Sequence, residues 1–291
     1  MKAVLENDVL KAEINLFGAE LASLVKKETG DEYMWNADEK FWKRHSPVLF
    51  PIVGSLKNKE FLYDGKAYPM GQHGFARDME FSLVSNDGTE AWFSLSSDET
   101  TIEKYPFAFT LEIGYRLDGN TLKVMWHVIN EDDKTMYFSI GGHPAFMCPL
   151  SGKGEQTDYS IYFDTEKDLT YGSLSGNGLI EKKDNVLAAN GGKLKIDAHL
   201  FDEDALVIEG GQAHEVSLVN PEGNPYLTVC FDAPLFGLWS PAKKNAPFVC
   251  IEPWYGRCDE EGFAGTLEER EYGNQLAPGE DFEVSYEVKV L

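Results

Sequence analysis

The chain has 291 residues, 43% of them apolar, enough for a sizeable hydrophobic core. Its net charge of −23 argues by repulsion against nucleic acid and anionic membrane surfaces as partners, and leaves a neutral substrate open. The longest apolar runs fall far short of a membrane span, and the first residues lack a signal-peptide pattern, so a cytoplasmic protein is expected.

The N-terminal segment alternates. Leu10, Ala12, Ile14 and Leu16 form one apolar face against Lys11, Glu13 and Asn15, which predicts a half-buried strand. A second strand follows Gly18 and runs into the loop Glu28–Asp31. Asp38 to Trp42 suits a short helical turn. Ser46 to Lys57 is apolar but carries two prolines, so it is expected as an irregular segment crossing an end of the core. Asp64-Gly65 marks a tight hairpin, and Asn86-Asp-Gly88 marks another between Phe81–Ser85 and Ala91–Ser96. The strict alternation over Phe107–Leu117, the turn Asp118-Gly-Asn120 and the alternation over Leu122–Val128 predict long paired strands. Met136 to Ile140 reads as a further strand. Residues 151–200 read as excursion loops around the strand Ile161–Phe163. Ala205–Ile208, Val216–Val219, Leu227–Phe231, Leu235–Trp239 and the C-terminal run Phe282–Val290 complete the strands. No helical period is sustained over three turns. These patterns predict an all-β chain folded as one large antiparallel β-sandwich over residues 1–291; such sandwiches of roughly 200–250 residues are routinely single domains.

The chemistry centres on Pro247–Asp259. Phe248 to Ile251 reads as a buried strand that ends at the carboxylate of Glu252. Pro253 cannot donate to a ladder, so pairing is expected to stop there and the carboxylate to open onto a rim. A buried carboxylate is costly unless it is paired or has chemistry to perform. Beside it, Trp254 and Tyr255 offer flat apolar faces of the kind on which a sugar stacks. The structural alternative is a rim ion pair between Glu252 and Arg257.

Of the six histidines, His127 reads as structural or exposed, and His45, His199 and His214 as surface or capping residues. His73 and His143 differ: each follows a glycine-containing approach, which lets the backbone come close to a ligand, and each precedes an aromatic within three residues. Either could donate a proton near neutral pH or serve the fold. The four cysteines, Cys148, Cys230, Cys250 and Cys258, form no C-x-x-C pair and are expected as reduced, mostly buried thiols. Although Cys250 and Cys258 flank Glu252, no second Cys/His pair has zinc-like spacing, so no metal is expected. Phosphate loops, dinucleotide fingerprints and a nucleophile elbow are absent from the sequence.

Leu49–Gly54, His73-Gly-Phe-Ala-Arg77, Gly142-His-Pro-Ala-Phe146, Leu200–Leu206, Gly237-Leu-Trp-Ser240, Phe248–Trp254 and Leu276–Glu280 occur together in one order and spacing. In these motifs the chain resembles the aldose 1-epimerase (galactose mutarotase) family, in its shorter LacX-like branch, nearly end to end. The resemblance implies a galactose mutarotase-like β-supersandwich with the sugar in an open cleft, and a reaction without cofactor. It makes Glu252 the general base at the anomeric hydroxyl and His143 the general acid at the ring oxygen. His73 would bond the sugar near that oxygen, and Asp202 would hold distal hydroxyls unless the register slips to Asp204. Phe146, Trp239 and Trp254 would supply apolar faces. Where the family commonly has an arginine after its Phe-Pro segment, this chain has Ser55, and Lys57 or Arg44 is the expected substitute. The partner is then a monosaccharide, and the protein a monomer or homodimer. Two other readings stay open: a mutarotase of hexose 6-phosphates, and a non-catalytic sugar-binding or sensing protein.

Overall fold

The computed structural model describes residues 1–291, apart from the side chain of Lys182. Among the described residues two large antiparallel sheets dominate. A nine-stranded sheet runs in the order Lys193–Lys195, Ser160–Phe163, Glu215–Val219, Pro225–Phe231, Asp281–Val290, Thr121–Asn130, Phe109–Asp118, Glu90–Ser96 and Ser82–Asn86. The second sheet runs Ile180–Leu187, Leu169–Leu174, Leu206–Glu209, Leu235–Trp239, Phe248–Tyr255, Ile140–Gly142 and Val48–Leu49, with Ala145–Met147 also paired to Phe248–Tyr255. The all-β antiparallel sandwich expected from the alternation is therefore present.

The two sheets meet face to face. On Thr121–Asn130 every second side chain, Leu122, Val124, Trp126 and Val128, is buried, while the intervening ones are partly exposed. A Cβ at Gly142 would touch Trp126 and Tyr286 of the facing sheet, so the layers are in contact at that point. Phe236, Leu238, Val249 and Ile251 join the same core. A separate four-stranded sheet, Lys2–Glu6, Leu10–Asn15, Glu20–Lys26 and Asp31–Glu32, packs its apolar face on this core. No described helix is long and apolar enough to cross a membrane.

Most turn signals act where expected. Asp64 and Gly65 take φ of 48° and 70° and close the hairpin Glu60–Tyr63 with Lys66–Pro69. Asp38–Trp42 forms a single hydrogen-bonded turn, in which the Phe41 and Trp42 amides both donate to the Asp38 carbonyl.

Three expectations need correction. Residues 151–200 are not only loops: Leu169–Leu174 and Ile180–Leu187 pair as a hairpin that extends the second sheet. Their apolar positions are sparse and the pairing is bulged, which hides the strand period. Met136–Ile140 is not one strand. Met136–Phe138 pairs with Asn274–Leu276, whereas Ile140–Gly142 joins the second sheet. Finally, pairing does not stop at Pro253. The strand runs through Phe248–Tyr255, with Phe236 opposite Pro253. On its other side the neighbouring strand is interrupted between Gly142 and Ala145 by His143-Pro144. The proline thus sits where no continuous ladder is offered.

Candidate active site

The interruption that accommodates Pro253 also builds the site. His143 and Ala145 turn their amides away from Phe248–Tyr255, to the carbonyls of Pro47 and His45. The irregular segment expected over Ser46–Lys57 serves as this outer edge. Along Phe248–Tyr255 the two-residue period puts Val249 and Ile251 in the core between the sheets and Cys250, Glu252 and Trp254 on the opposite face. Trp254 lies flat there because two neighbours have no side chain: a Cβ at Gly237 would lie 2.6 Å from its ring, and one at Gly141 2.5 Å.

Glu252 is 1% exposed, so it is a buried group and not a rim carboxylate. Arg257 does not pair with it; that guanidinium is held by Glu209, Glu260 and Glu271. Instead Glu252 Oε2 faces His143 Nε2 at 3.4 Å. The His143 ring stacks on Trp42 at 4.7 Å between centroids and meets the edges of Trp239 and His73. Trp42 is set in place by the Asp38–Trp42 turn, whose last carbonyl accepts from the Trp35 indole. These groups line a cavity of about 230 Å³ together with Gln72, Arg77, Asp204 and Trp254.

The electrostatics follow from burial. Burial pushes the Glu252 carboxyl well above the ordinary carboxylate range, and the Asp204 charge adds to the shift. Burial and the Arg77 charge push His143 down to about 3. Burial thus disfavours the charged form of both groups. His73 is likewise held well below its ordinary value, chiefly by burial. Its Nδ1 accepts from the Gly54 amide at 3.1 Å, which leaves the proton on Nε2 as a donor.

The cavity wall is left unsatisfied. Among the described residues, the buried side-chain atoms without a hydrogen-bond partner are Arg77 Nε, His143 Nδ1, both oxygens of Glu252, Trp254 Nε1, and Glu209 Oε1 with Arg257 Nε. The last two face each other as an ion pair. The other five belong to residues lining the one cavity; of these, Glu252 Oε2 faces His143 Nε2 and Arg77 Nε lies 3.8 Å from Asp78 Oδ2. Buried polar groups are normally paired, so this concentration marks a ligand site rather than a structural network. The arrangement offers donors, acceptors and flat apolar faces to one small polar ring, with an acid–base pair on a single side of it.

The family model for aldose 1-epimerase matches residues 1–288. The chain belongs to the aldose 1-epimerase family. It is 32% identical to the plasmid and chromosomal LacX proteins of Lactococcus lactis subsp. lactis, covering 100% of each chain. Its fold superposes on a galactose mutarotase related enzyme from Lactobacillus acidophilus with a TM-score of 0.93 at 34% identity, covering 100% of this chain and 97% of that one. A galactose mutarotase-like protein from Lactobacillus casei ATCC 334 gives a TM-score of 0.93 at 31% identity, with both chains covered in full. Membership in the aldose 1-epimerase family supports an isomerase-type enzyme with a sugar substrate.

Within this aldose 1-epimerase fold the expected residues divide. Glu252, His143, His73, Trp239 and Trp254 line the cavity. Phe146 does not. In Ala145–Met147 it has the opposite parity to Ala145, so it enters the core between the sheets. Asp202 lines a neighbouring cavity with Ser240, Lys243 and Asn245 and bonds His199 at 2.8 Å. Asp204, at φ 76°, is the aspartate at the site. Lys57 lies on the short turn Lys57–Lys59, lines other cavities, and gives its amide to Asp259. Arg44 stands beside the cavity with its guanidinium on Asp78 at 2.7 Å, and only its field reaches His73 and His143.

Trp42 was not anticipated at the site, and Arg77 was not expected to stand in for the missing arginine. Arg77 ends the His73–Arg77 motif, and its position there was the available signal. Held by the Gln72 carbonyl at 2.7 Å, it brings a guanidinium to the cavity that Ser55 cannot supply. Trp42 carried no signal beyond its place in an aromatic-rich turn.

Proposed function

We propose that the protein is a mutarotase that interconverts the α and β anomers of a free aldose. The observation that carries this reading is the contact between Glu252 and His143, 3.4 Å apart at one cavity wall with their remaining polar atoms unpartnered.

Ring opening requires a base at the anomeric hydroxyl and an acid at the ring oxygen. In the proposal Glu252, as carboxylate, takes the O1 proton while His143, as imidazolium, protonates O5. The C1–O5 bond breaks to the aldehyde, C1 turns about C1–C2, and the reverse transfers close the ring on its other face. The proton count fits. A neutral Glu252–His143 pair holds as many protons as the carboxylate–imidazolium pair, so one shift across the contact readies the site. Sugar hydroxyls at the empty hydrogen-bonding positions would favour the charged pair. The neutral pair is also the form needed to reclose the aldehyde. His73 Nε2–H and Arg77 would bond ring-side oxygens, Asp204 distal hydroxyls, and Trp42, Trp239 and Trp254 would face the C–H surfaces. No cofactor enters this scheme.

Polarimetry or anomeric-proton NMR on freshly dissolved α-D-glucose and α-D-galactose tests the reading. Accelerated approach to anomeric equilibrium is expected; the uncatalysed rate with both sugars would overturn it. A second reading, a hexose 6-phosphate as substrate, draws on Arg77, which shares the single carboxylate of Asp78 with Arg44 and whose pKa is lowered to about 10 by burial and by Arg44. An under-neutralised guanidinium pair suits an anionic group. Acceleration for glucose 6-phosphate but not glucose would favour it. The non-catalytic sensor is disfavoured, because binding alone gives no reason to align an acid and a base on one bond.

A further inference from the structure

We infer that His143, Cys250 and Glu252 form a site for a thiophilic divalent cation, Zn²⁺ or Cd²⁺, whose binding excludes the sugar and inhibits the enzyme. One donor atom of each residue lies within 4.8 Å of the other two, and all three residues are buried. A tetrahedral zinc site with ligand bonds of 2.0–2.3 Å separates its donors by about 3.3–3.8 Å, so modest side-chain shifts would close the triad. A second, independent feature points to a ligand here: Glu252 Oε1 and His143 Nδ1 are buried without a hydrogen-bond partner.

The donor set is one thiol, one imidazole and one carboxylate. That mixture suits a borderline-soft cation and not Mg²⁺ or Ca²⁺, which take oxygen ligands. Three protein ligands leave a fourth position for water. Charge also fits. Asp204 lies close enough to act on Glu252 and would favour the cation, while Arg77 opposes it. Binding involves no redox change: the Cys250 thiol and the Glu252 carboxyl each release a proton, and neutral His143 releases none. A sugar needs Glu252 and His143 free, so cation and sugar exclude each other.

The sequence hides this triad. Cys250 and Glu252 are two positions apart on one strand face, but His143 arrives from the interrupted neighbour, where Ala145 is the register partner of Cys250.

The test uses Co²⁺ as a spectroscopic probe and Zn²⁺ as inhibitor on the full-length protein, so the metal site is read independently of sugar turnover. Titration with Co²⁺ is expected to give an ultraviolet thiolate-to-cobalt band, one equivalent per chain, displaced by Zn²⁺. The band is expected to vanish in Cys250→Ala and to persist in Cys258→Ala, which removes the thiol lining the cavity, and in His127→Gln, which removes a surface His/Asp/Glu cluster. Zn²⁺ should slow anomerisation competitively with sugar, reversibly by EDTA, and at least about tenfold less potently in Cys250→Ala. Thermal melts of each variant establish folding, and loss of the wild-type band on adding excess sugar tests the exclusion should Cys250→Ala unfold. Absence of a thiolate band in the wild type, its persistence in folded Cys250→Ala, or a band indifferent to both sugar and Cys250 would overturn the inference. An unreactive protein that still shows the Cys250-dependent cobalt band would count against the mutarotase reading alone.

Discussion

Glu252 is the residue on which the proposed chemistry and the stability of this protein pull in opposite directions. Its folded pKa is raised above the ordinary value of 4.5, so the folded state holds a proton that the unfolded chain releases. This favours folding below that value and is lost as pH rises toward the folded pKa, by at most about 1.4 kcal/mol per pH unit. Glu252→Gln keeps the shape and removes the ionisation. Urea melts should show it at least as stable as wild type at pH 8, with the difference gone near pH 4. The same variant, and His143→Asn, should lower kcat by about 10²–10⁴-fold, the usual contribution of a general acid or base, as read by anomeric NMR. His143 carries the opposite sign: its depressed pKa contributes stability above its ordinary 6.5 that is lost as pH falls toward about 3. Activity should therefore hold above about 3 and fall on the alkaline side of the raised Glu252 pKa, where the pair loses its shared proton. The two aspartates give a sharper test. Asp204→Asn should raise KM severalfold, whereas Asp202→Asn, bonded to His199 outside the cavity, should leave KM near wild type.

Among the elements, the loop after Phe248–Tyr255 carries the least forgiving contacts. Asp259 and Arg270 are both buried and pair at 2.7 Å. The other Asp259 oxygen accepts the Lys57 amide at 2.9 Å, and the Asp259 amide donates to the Ser55 carbonyl at 3.0 Å. One carboxylate thus ties this loop to the segment that carries Gly54, and Gly54 donates to His73. Removing one partner of a buried pair leaves an uncompensated charge, at a cost of about 3–5 kcal/mol. Asp259→Ala should lower the urea midpoint accordingly, whereas replacing both partners with apolar residues should cost less. His73 depends on a second close approach. Gly74, at φ +68°, would put a Cβ 2.2 Å from the Phe50 carbonyl oxygen, so Gly74→Ala should displace the His73 loop and raise KM.

The whole molecule carries a net charge of −23, yet the cavity holds Arg77 with Arg44 beside it. The far field of this charge acts on ions and not on neutral sugars. Anomerisation of glucose should therefore change less than about twofold between about 20 and 500 mM NaCl, a range over which the Debye length falls severalfold. EDTA should not reduce activity, since the scheme uses side chains alone; a loss on chelation would implicate a resident metal. Both outcomes follow from placing the reaction in a buried cavity on the face of the second sheet opposite the core, where burial and a few local charges set the electrostatics.

The sequence by itself determined the strands with a clean two-residue period and the turns with a conformational reason. Thr121–Asn130, the hairpin at Asp64-Gly65 and the C-terminal Asp281–Val290 were legible because alternation and positive φ are local properties. Glu252 stood out as a costly buried carboxylate, whereas His143 and His73 were left open between chemistry and the fold until the family resemblance singled them out. Only the tertiary structure decided which faces meet. Parity sends Phe146 into the core and His143 to the cavity, and parity is fixed by pairing with Phe248–Tyr255, about a hundred residues away in the chain. It decided that Pro253 could continue a strand, because the neighbouring strand breaks opposite it. It brought Arg77 to the cavity where Ser55, Lys57 and Arg44 had been the positions in view, and it set Trp42 against His143. The physical reason is common to all of these: the period within a strand is written locally, but register and the crossing of loops over a sheet depend on contacts distant in sequence.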